Sequence, residues 1–448
     1  MPDHQIPRPL RTNRRYRWLL GGSTLSMLGS RLTTIAYPLL VLAWGGSPFI
    51  AGLAVCVANA PSVLVYIPAG ALVDRAADPK RTLIIAEMAR GLAIAVILGE
   101  LLAGCKWIPL LIVVAFFEES FEGVATLAER RYVRKLVEPP QARAAQLGME
   151  ARAHVVVLVG RALGGLLFGV QQCVPFLADL MSFGVSVTSL LVTGRDREVP
   201  REKAAMPGHR NLWADVRAGW AELRDDAFAF NASLISACMS LISQSLIIVF
   251  LEVAHGRHAS SFSIGVVLAM SGIGGLAGTL VSRRWPRPWN CSPLKSQPLI
   301  WAVMLFFFTF SGSRQVPFMG LVMMVLGLVG AMGNVELDTY LLVKVPPAKL
   351  ARVTSFEMVL DLAASAVGPA LGGLITELWG VRAAMIALCI VSFVVAFPVF
   401  SLKVPAVAPA AARVGATPAA GQPLEPTHES TRHGSPGGHT SREAALGR

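Results

Sequence analysis

Val159-Gly160-Arg161-Ala162-Leu163-Gly164-Gly165-Leu166 returns almost unchanged as Val367-Gly368-Pro369-Ala370-Leu371-Gly372-Gly373-Leu374. Each copy sits inside a long apolar block, and these are the fifth and the eleventh such blocks of the chain. A second echo has the same offset. Gly70-Ala71-Leu72-Val73-Asp74-Arg75 closes the second block, and Gly278-Thr279-Leu280-Val281-Ser282-Arg283 closes the eighth. Two matches, each six blocks apart, describe a duplicated unit of six apolar segments, a pattern of internally repeated membrane proteins.

Working outward from these motifs, the blocks read as spans at 18–44, 49–73, 82–104, 107–128, 148–170 and 174–193. The second set is 229–252, 262–282, 297–313, 316–340, 353–376 and 380–402. A helix crossing the hydrocarbon core needs about 20 mainly apolar residues. Lipid offers nothing to a bare backbone N–H or C=O, so each block is expected to be helical. The composition agrees: 54% of residues are hydrophobic and 15% charged, where a soluble domain carries about 25% charged residues. The fold class is an all-α membrane protein of twelve transmembrane helices in two six-helix halves.

The charges set the expected orientation. Of the Lys and Arg residues, about 32 fall in the segments placed inside when the N-terminus is cytoplasmic. About four (Lys106, Arg257, Arg314 and Arg382) fall in the outer loops. Such a bias places both termini in the cytoplasm of a multi-pass protein of the inner or plasma membrane. The net charge of +12 is thereby accounted for by membrane orientation, not by nucleic-acid binding. The N-terminal basic run precedes an apolar stretch too long for a cleavable signal, so it is expected to remain as the first helix.

The chain divides into a cytoplasmic basic N-terminus (1–17), an N-terminal six-helix half (18–193), a cytoplasmic loop (194–228), a C-terminal six-helix half (229–402) and a disordered cytoplasmic tail (403–448). The loop sets Leu212, Trp213, Val216, Trp220 and Leu223 at helical spacing among charges, an amphipathic helix for the inner membrane surface. The tail is rich in Ala, Pro, Gly, Ser and Thr. Six cysteines are scattered without metal-ligand spacing.

At Gly70 to Arg75, followed by Lys80 and Arg81, the chain resembles the major facilitator superfamily in the loop between its second and third helices. The resemblance implies the major facilitator fold, a monomer that moves a small molecule across the bilayer. It also implies a conformational gate formed by Gly70, Asp74, Arg75, Lys80 and Arg81. A narrower likeness runs from about residue 18 to 400. Ser26-Met27-Leu28-Gly29-Ser30, Ala36-Tyr37-Pro38-Leu39-Leu40, Glu87-Met88-Ala89-Arg90 and Asp179-Leu180-Met181-Ser182-Phe183 are similar to the branch of enterobactin exporters and macrolide efflux proteins. The chain departs from that branch at Ser30-Arg31, where an acid often follows the glycine, and at Arg161, where proline is usual. Both changes point to a specialised substrate.

A charge at the centre of a span costs about 2.5–3.5 kcal/mol on insertion scales and so calls for a reason. Arg31 lies about 20 Å along the first helix, near the midplane. Glu118, Glu119 and Glu122 lie mid-way along the fourth span, Glu118 and Glu122 on one face. Arg161 is past the middle of the fifth, with Arg152 and His154 nearer the inner surface. The family geometry implies a central cavity lined by the first, fourth, seventh and tenth helices, where Arg31, Glu118 and Arg161 could meet. Two roles stay open: carboxylates that take protons beside arginines that hold substrate, or a structural ion-pair network. In the second half Glu336 and Asp361 are the coupling candidates, with Asp338 and Glu357 at the interface or gate. Glu87 and Arg90, one turn apart, read as a structural pair, and Asp179 as a bond between helices. Asn231 and Gln244 are polar candidates for substrate contact, and the methionines Met323, Met324 and Met332 read as packing.

The leading expectation is a proton-coupled exporter of a small amphipathic molecule, such as a siderophore, macrolide or other secondary metabolite. An importer, a lipid or metabolite facilitator and a non-transporting scaffold or sensor are the alternatives. The chain has no His-Glu-x-x-His motif, no Gly-x-Ser-x-Gly elbow and no P-loop. Neither enzyme, metal site, cofactor nor direct ATP use is therefore expected.

Overall fold

The computed structural model describes residues 13–65, 73, 76, 78–138, 141–193, 220–221, 224, 227–256, 260–282, 292–310, 316–345 and 347–401. Gly70, Asp74 and Arg75 of the expected gate lie outside these residues, as do most of the 194–228 loop and the 403–448 tail.

The helices are α1 (Arg14–Ala43), α2 (Pro48–Leu64), α3 (Pro79–Leu102), α4 (Ile108–Leu136), α5 (Ala142–Val170), α6 (Val174–Val192), α7 (Ala227–His255), α8 (Ser261–Ser282), α9 (Pro293–Phe310) and α10 (Val316–Lys344). A last run, Pro347–Ser401, is interrupted at Gly380, whose φ of 80° and ψ of 166° are open to glycine and costly for other residues. The break divides it into α11 (347–379) and α12 (381–401). With that break counted, the described residues make twelve helical segments. Eight described helical runs are long and apolar enough to cross a membrane, the last of them 42 residues long.

Local chemistry sets the helix starts. Ser47 accepts from the Ile50 N–H ahead of Pro48, and Asp78 accepts from the Lys80 N–H ahead of Pro79. Each is a side-chain cap followed by a residue with no N–H to satisfy. Several ends run past the apolar blocks. α4 continues to Leu136 where the apolar stretch predicts an end near 128, and α5 begins at Ala142, not near 148. The extension of α4 is polar, and Arg134 and Lys135 occupy its last turn, where cations suit the helix dipole. Leaving lipid ends the apolar requirement but does not end the helix.

In the first half α1 packs on α5 and α6, α3 on α4 and α6, and α2 on α4. The second half repeats the scheme: α7 packs on the 347–401 run, α8 on α10, and α9 on α10 and the 347–401 run. The quoted motifs explain why. A Cβ on Gly160 would lie 2.4 Å from Arg31 Cβ, and one on Gly164 2.7 Å from the Leu32 carbonyl oxygen. In the second copy, Cβ atoms on Gly368 and Gly372 would each lie 2.6 Å from a carbonyl of α7, those of Leu241 and Ser245. Both copies bring the fifth helix of a half into backbone contact with its first, as small residues do between membrane helices.

The halves meet where α2 abuts the 347–401 run and where α5 abuts α8. The α2 contact lies at the end of the bundle bearing the 44–47 turn. Cβ atoms on Gly52 and Gly373 would sit 2.1 Å from the Pro369 carbonyl oxygen and 2.3 Å from that of Pro48. There the Phe49 N–H also donates to Glu377 at 3.2 Å.

Candidate functional site

Three helices of the first half carry polar residues into a common interior. α1 presents Ser23, Ser26, Ser30 and Thr33 at steps of three and four, one face of a helix. α4 presents Glu118, Glu122 and Glu129 toward them, and α3 supplies Glu87 and Arg90.

Arg90 is the centre of this network. Its Nε donates to Glu118 Oε1 at 2.9 Å, and its Nη2 reaches Glu118 Oε1 at 2.8 Å, Ser30 Oγ at 2.5 Å and Glu122 Oε2 at 3.3 Å. The side chains of Arg90 and Glu118 are each 4% exposed. The guanidinium also lies 4.8 Å above the Phe183 ring, a cation–π contact within the usual range. Arg31 approaches from the other side and donates to Glu122 Oε1 at 3.0 Å. Glu122 is thus bracketed by two arginines.

Carboxyl groups outnumber these cations. The carboxyl oxygens of Glu118, Glu119 and Glu122 all lie within 4.8 Å of one another, close enough for one small cation or shared proton to serve them. Glu119 brings a third carboxyl group beside Glu118 and Glu122, and neither Arg31 nor Arg90 pairs with it. Glu87 accepts from Ser26 at 2.8 Å and Asp179 from Thr33 at 3.1 Å. Five carboxyl groups therefore face Arg31 and Arg90. Nearer the α1 N-terminus a second cluster is balanced. Arg152 of α5 pairs with Glu129 at 3.0 and 3.2 Å, and Ser23 bonds both. A cavity of about 100 Å³ joins the clusters, walled by Ser26, Glu87, Arg90, Glu122, Glu129 and Arg152.

The residues singled out from sequence are placed differently from one another. Arg31, Glu118 and Glu122 share the network, with Arg31 on Glu122, not on Glu118. Glu87 and Arg90 are not each other's partners: Arg90 reaches across to α4, and Glu87 to α1. Helical spacing suggested the pair, but the burial of both side chains against α1 and α4 decides their partners. The side chains of His154 and Arg161 lie outside the described set. In the gate segment, Lys80 is buried, and Arg81 sits 3.5 Å from Asp78 on an exposed surface. Arg131 of α4 donates to the carbonyls of Val73 and, at 3.2 Å, Ala76, so it secures the α2–α3 link.

In the second half Asp361 accepts from Ser240 Oγ at 2.5 Å. Glu336 accepts from Ser292 Oγ at 2.7 Å and from the Leu294 N–H at 2.9 Å. It thereby closes the N-terminus of α9, which has free N–H groups to satisfy. Asp338 is exposed and Glu357 half-buried. Gln244 packs beside Gly368. Trp220 sets its ring against Phe230 and Phe356, tying its segment to the starts of α7 and α11. Arg90 and Glu119 are the members of the network that reasoning from sequence left out of the site. An arginine ten residues into an apolar block was the available signal for Arg90.

Comparison with known proteins supplies the remaining evidence. The sequence profile described as "Major Facilitator Superfamily" matches residues 19–335. A search of curated protein sequences finds no match. Among solved structures, the nucleoside transporter NupG superposes with a TM-score of 0.65 at 14% identity, over 87% of this chain and 99% of that one. A bacterial homolog of the human lysosomal transporter Spinster, inward-facing and unoccupied, gives 0.66 at 16%, over 87% and 97%. A bacterial homologue of the iron transporter ferroportin, also inward-facing, gives 0.65 at 14%, over 88% and 99%.

Proposed function

The chain belongs to the major facilitator superfamily, and from that premise we propose that it is a proton-coupled secondary transporter exporting a small amphipathic molecule. A siderophore, a macrolide or another secondary metabolite is the substrate class the branch resemblance favours. The protein works as a monomer in the cell membrane, with both termini cytoplasmic and no bound cofactor. The observation that carries the reading is the gathering of Glu118, Glu119 and Glu122 inside a network with more carboxyl groups than guanidiniums.

The mechanism follows from charge balance at low dielectric, where an uncompensated buried charge is costly. A proton on Glu119 neutralises the group that neither Arg31 nor Arg90 reaches. Its release adds a like charge to the clustered glutamates of α4, and the repulsion favours a state in which the network is wetted. A substrate exchanges for that proton because each favours a different arrangement of the two halves. With the termini inside, the α2–α11 contact at Gly52 and Gly373 lies at the outer end, where it would part as the transporter turns outward. Asp361 and the gate residues Gly70, Asp74, Arg75, Lys80 and Arg81 act in the switch between states. Arg161 joins Arg31 in holding the substrate. Glu336 serves the second half by fixing the start of α9.

The test is reconstitution into liposomes with a pH-reporting dye inside. Candidate siderophores, macrolides and dyes are added to wild type, Glu119→Gln and Glu118→Gln. Substrate-dependent proton flux in wild type that Glu119→Gln loses supports the reading. Substrate movement without proton flux sinks the antiport mechanism and leaves a facilitator. Flux driven by a metal cation would reassign the three glutamates to that cation.

A further inference from the structure

The second half holds a cavity of about 260 Å³ between α7, α8, α9 and α10, and no residue of the first half lines it. Its chemistry is unlike that of the charged network. No Asp, Glu, Lys or Arg is on its wall; Ser236, Ser240, Ser271, Asn334 and Gln297 face it among Trp301 and methionine side chains.

The hydrogen-bonding capacity that remains there is polar and uncharged, of both kinds, because the amides of Gln297 and Asn334 and the Ser243 hydroxyl carry donors as well as acceptors. Ser271 donates to the Leu268 carbonyl at 2.8 Å, Ser240 to Asp361 at 2.5 Å, and the Trp301 N–H to the Leu326 carbonyl at 3.2 Å. The hydroxyl protons of Ser240 and Ser271 and the indole proton are thus committed, while the hydroxyl oxygens keep lone pairs. Gln297 is the decisive residue. It is 2% exposed and lines the cavity; its Oε1 is enclosed against Gly333 without a partner, and its amide nitrogen lies on the side of Gly330, which shares the cavity wall. A buried carbonyl oxygen left unbonded costs free energy. Nor is Gln297 there by accident of packing. α10 makes room for it with Gly330 and Gly333, where a Cβ would lie 3.4 Å from Trp301 and 2.2 Å from Gln297 Oε1.

We propose that this cavity is a binding subsite for an uncharged, ring-sized moiety carrying a hydrogen-bonding group such as an amide. Serine hydroxyls and two primary amides are what the wall offers, and among the described residues no ion on it would compensate a charged ligand. Size is the second constraint. Pockets for drug-sized ligands run to about 300–1,000 Å³, so this one takes one small group of a larger cargo or a single small molecule. Naming the ligand as cargo rests on the transport reading; the binding itself does not.

Benzamide, benzoate and benzamidinium share one ring and one size and differ in charge, so they are the probes. Each is titrated by equilibrium dialysis and by thermal shift against purified protein in detergent. Benzamide is expected to bind wild type and the two ions at least about tenfold more weakly. Gln297→Leu is expected to weaken benzamide about tenfold, the order of one lost hydrogen bond, without lowering the melting temperature of the unliganded protein. Ser243→Val, which narrows the α7 wall, is expected to weaken it independently. Failure of benzamide to bind wild type, ions binding as well as benzamide, or both variants binding it as wild type does would each overturn the proposal. Proton flux intact with benzamide binding lost sinks the subsite alone. Benzamide binding with no proton flux sinks the coupling mechanism alone.

Discussion

Arg90 donates twice to a single oxygen of Glu118, through Nε at 2.9 Å and Nη2 at 2.8 Å. That contact joins α3 to α4 where both side chains are 4% exposed, so neither charge has water to fall back on. Arg90→Met is expected to cost about 3–5 kcal/mol, because it strands Glu118 without its cation. The double variant Arg90→Met with Glu118→Met should recover most of that loss. Chemical unfolding of the two single variants and the double one measures the coupling. Simple additivity of the two losses would show that the contact carries no joint energy.

Glu119 and Glu122 should respond oppositely to the same change. Glu119→Gln alters a carboxyl group that neither arginine pairs with, so stability should shift by no more than about 1 kcal/mol. Glu122→Gln removes the charge that both Arg31 and Arg90 face and leaves one acceptor oxygen in place of two, so a loss of several kcal/mol is expected. Melting curves for the two variants side by side check the ordering.

The glycines divide by what surrounds them. Gly164→Ala places a methyl 2.7 Å from the Leu32 carbonyl oxygen and Gly372→Ala one 2.6 Å from that of Ser245. Overpacking against backbone should cost about 1–3 kcal/mol or more in each. Gly21, Gly99 and Gly184 have nothing within 4 Å of the added atom. Their replacement by alanine should be neutral or stabilise by up to about 1 kcal/mol, since glycine is a poor helix former. Equal losses at all five positions would refute the backbone-contact account of the motif.

The fold was legible because lipid leaves so few options. An apolar block of sufficient length must be helical, and the doubled glycine motif gave the halves. Helix ends were less legible, because α4 and α5 continue beyond the apolar residues that mark the membrane. At the site, Arg31, Glu118 and Glu122 stood out as charges among apolar neighbours. The identity of partners did not. Arg90 bonds residues 28 and 32 positions away and Glu87 one 61 positions away, which no helical period encodes. Glu336 drew attention as a buried acid, yet its work is local, at the first turn of the helix before it. Gln297 gave no signal at all, since a lone amide beside a proline in an apolar block resembles many others.

Arg131 should act through the α2–α3 link it holds. Arg131→Gln shortens the reach to the Val73 and Ala76 carbonyls. Hydrogen exchange and proteolysis at residues 73, 76 and 78–82 should accelerate, while the Arg90 network keeps its protection. Unchanged exchange there would mean that the link is held by other contacts.

The meeting of α2 with α11 is made by main chain against main chain, Gly52 to Pro369 and Pro48 to Gly373. At these two points no side chain stands between the helices, and beside them one hydrogen bond, from the Phe49 N–H to Glu377, has to break. Separation therefore resembles lifting one smooth plate from another: the obstacle is the loss of many weak dispersion contacts and the arrival of solvent, with no rotamer to unthread. A joint of that kind can open and reclose many times without accumulating misfitted intermediates. Its resistance can be adjusted one methyl group at a time.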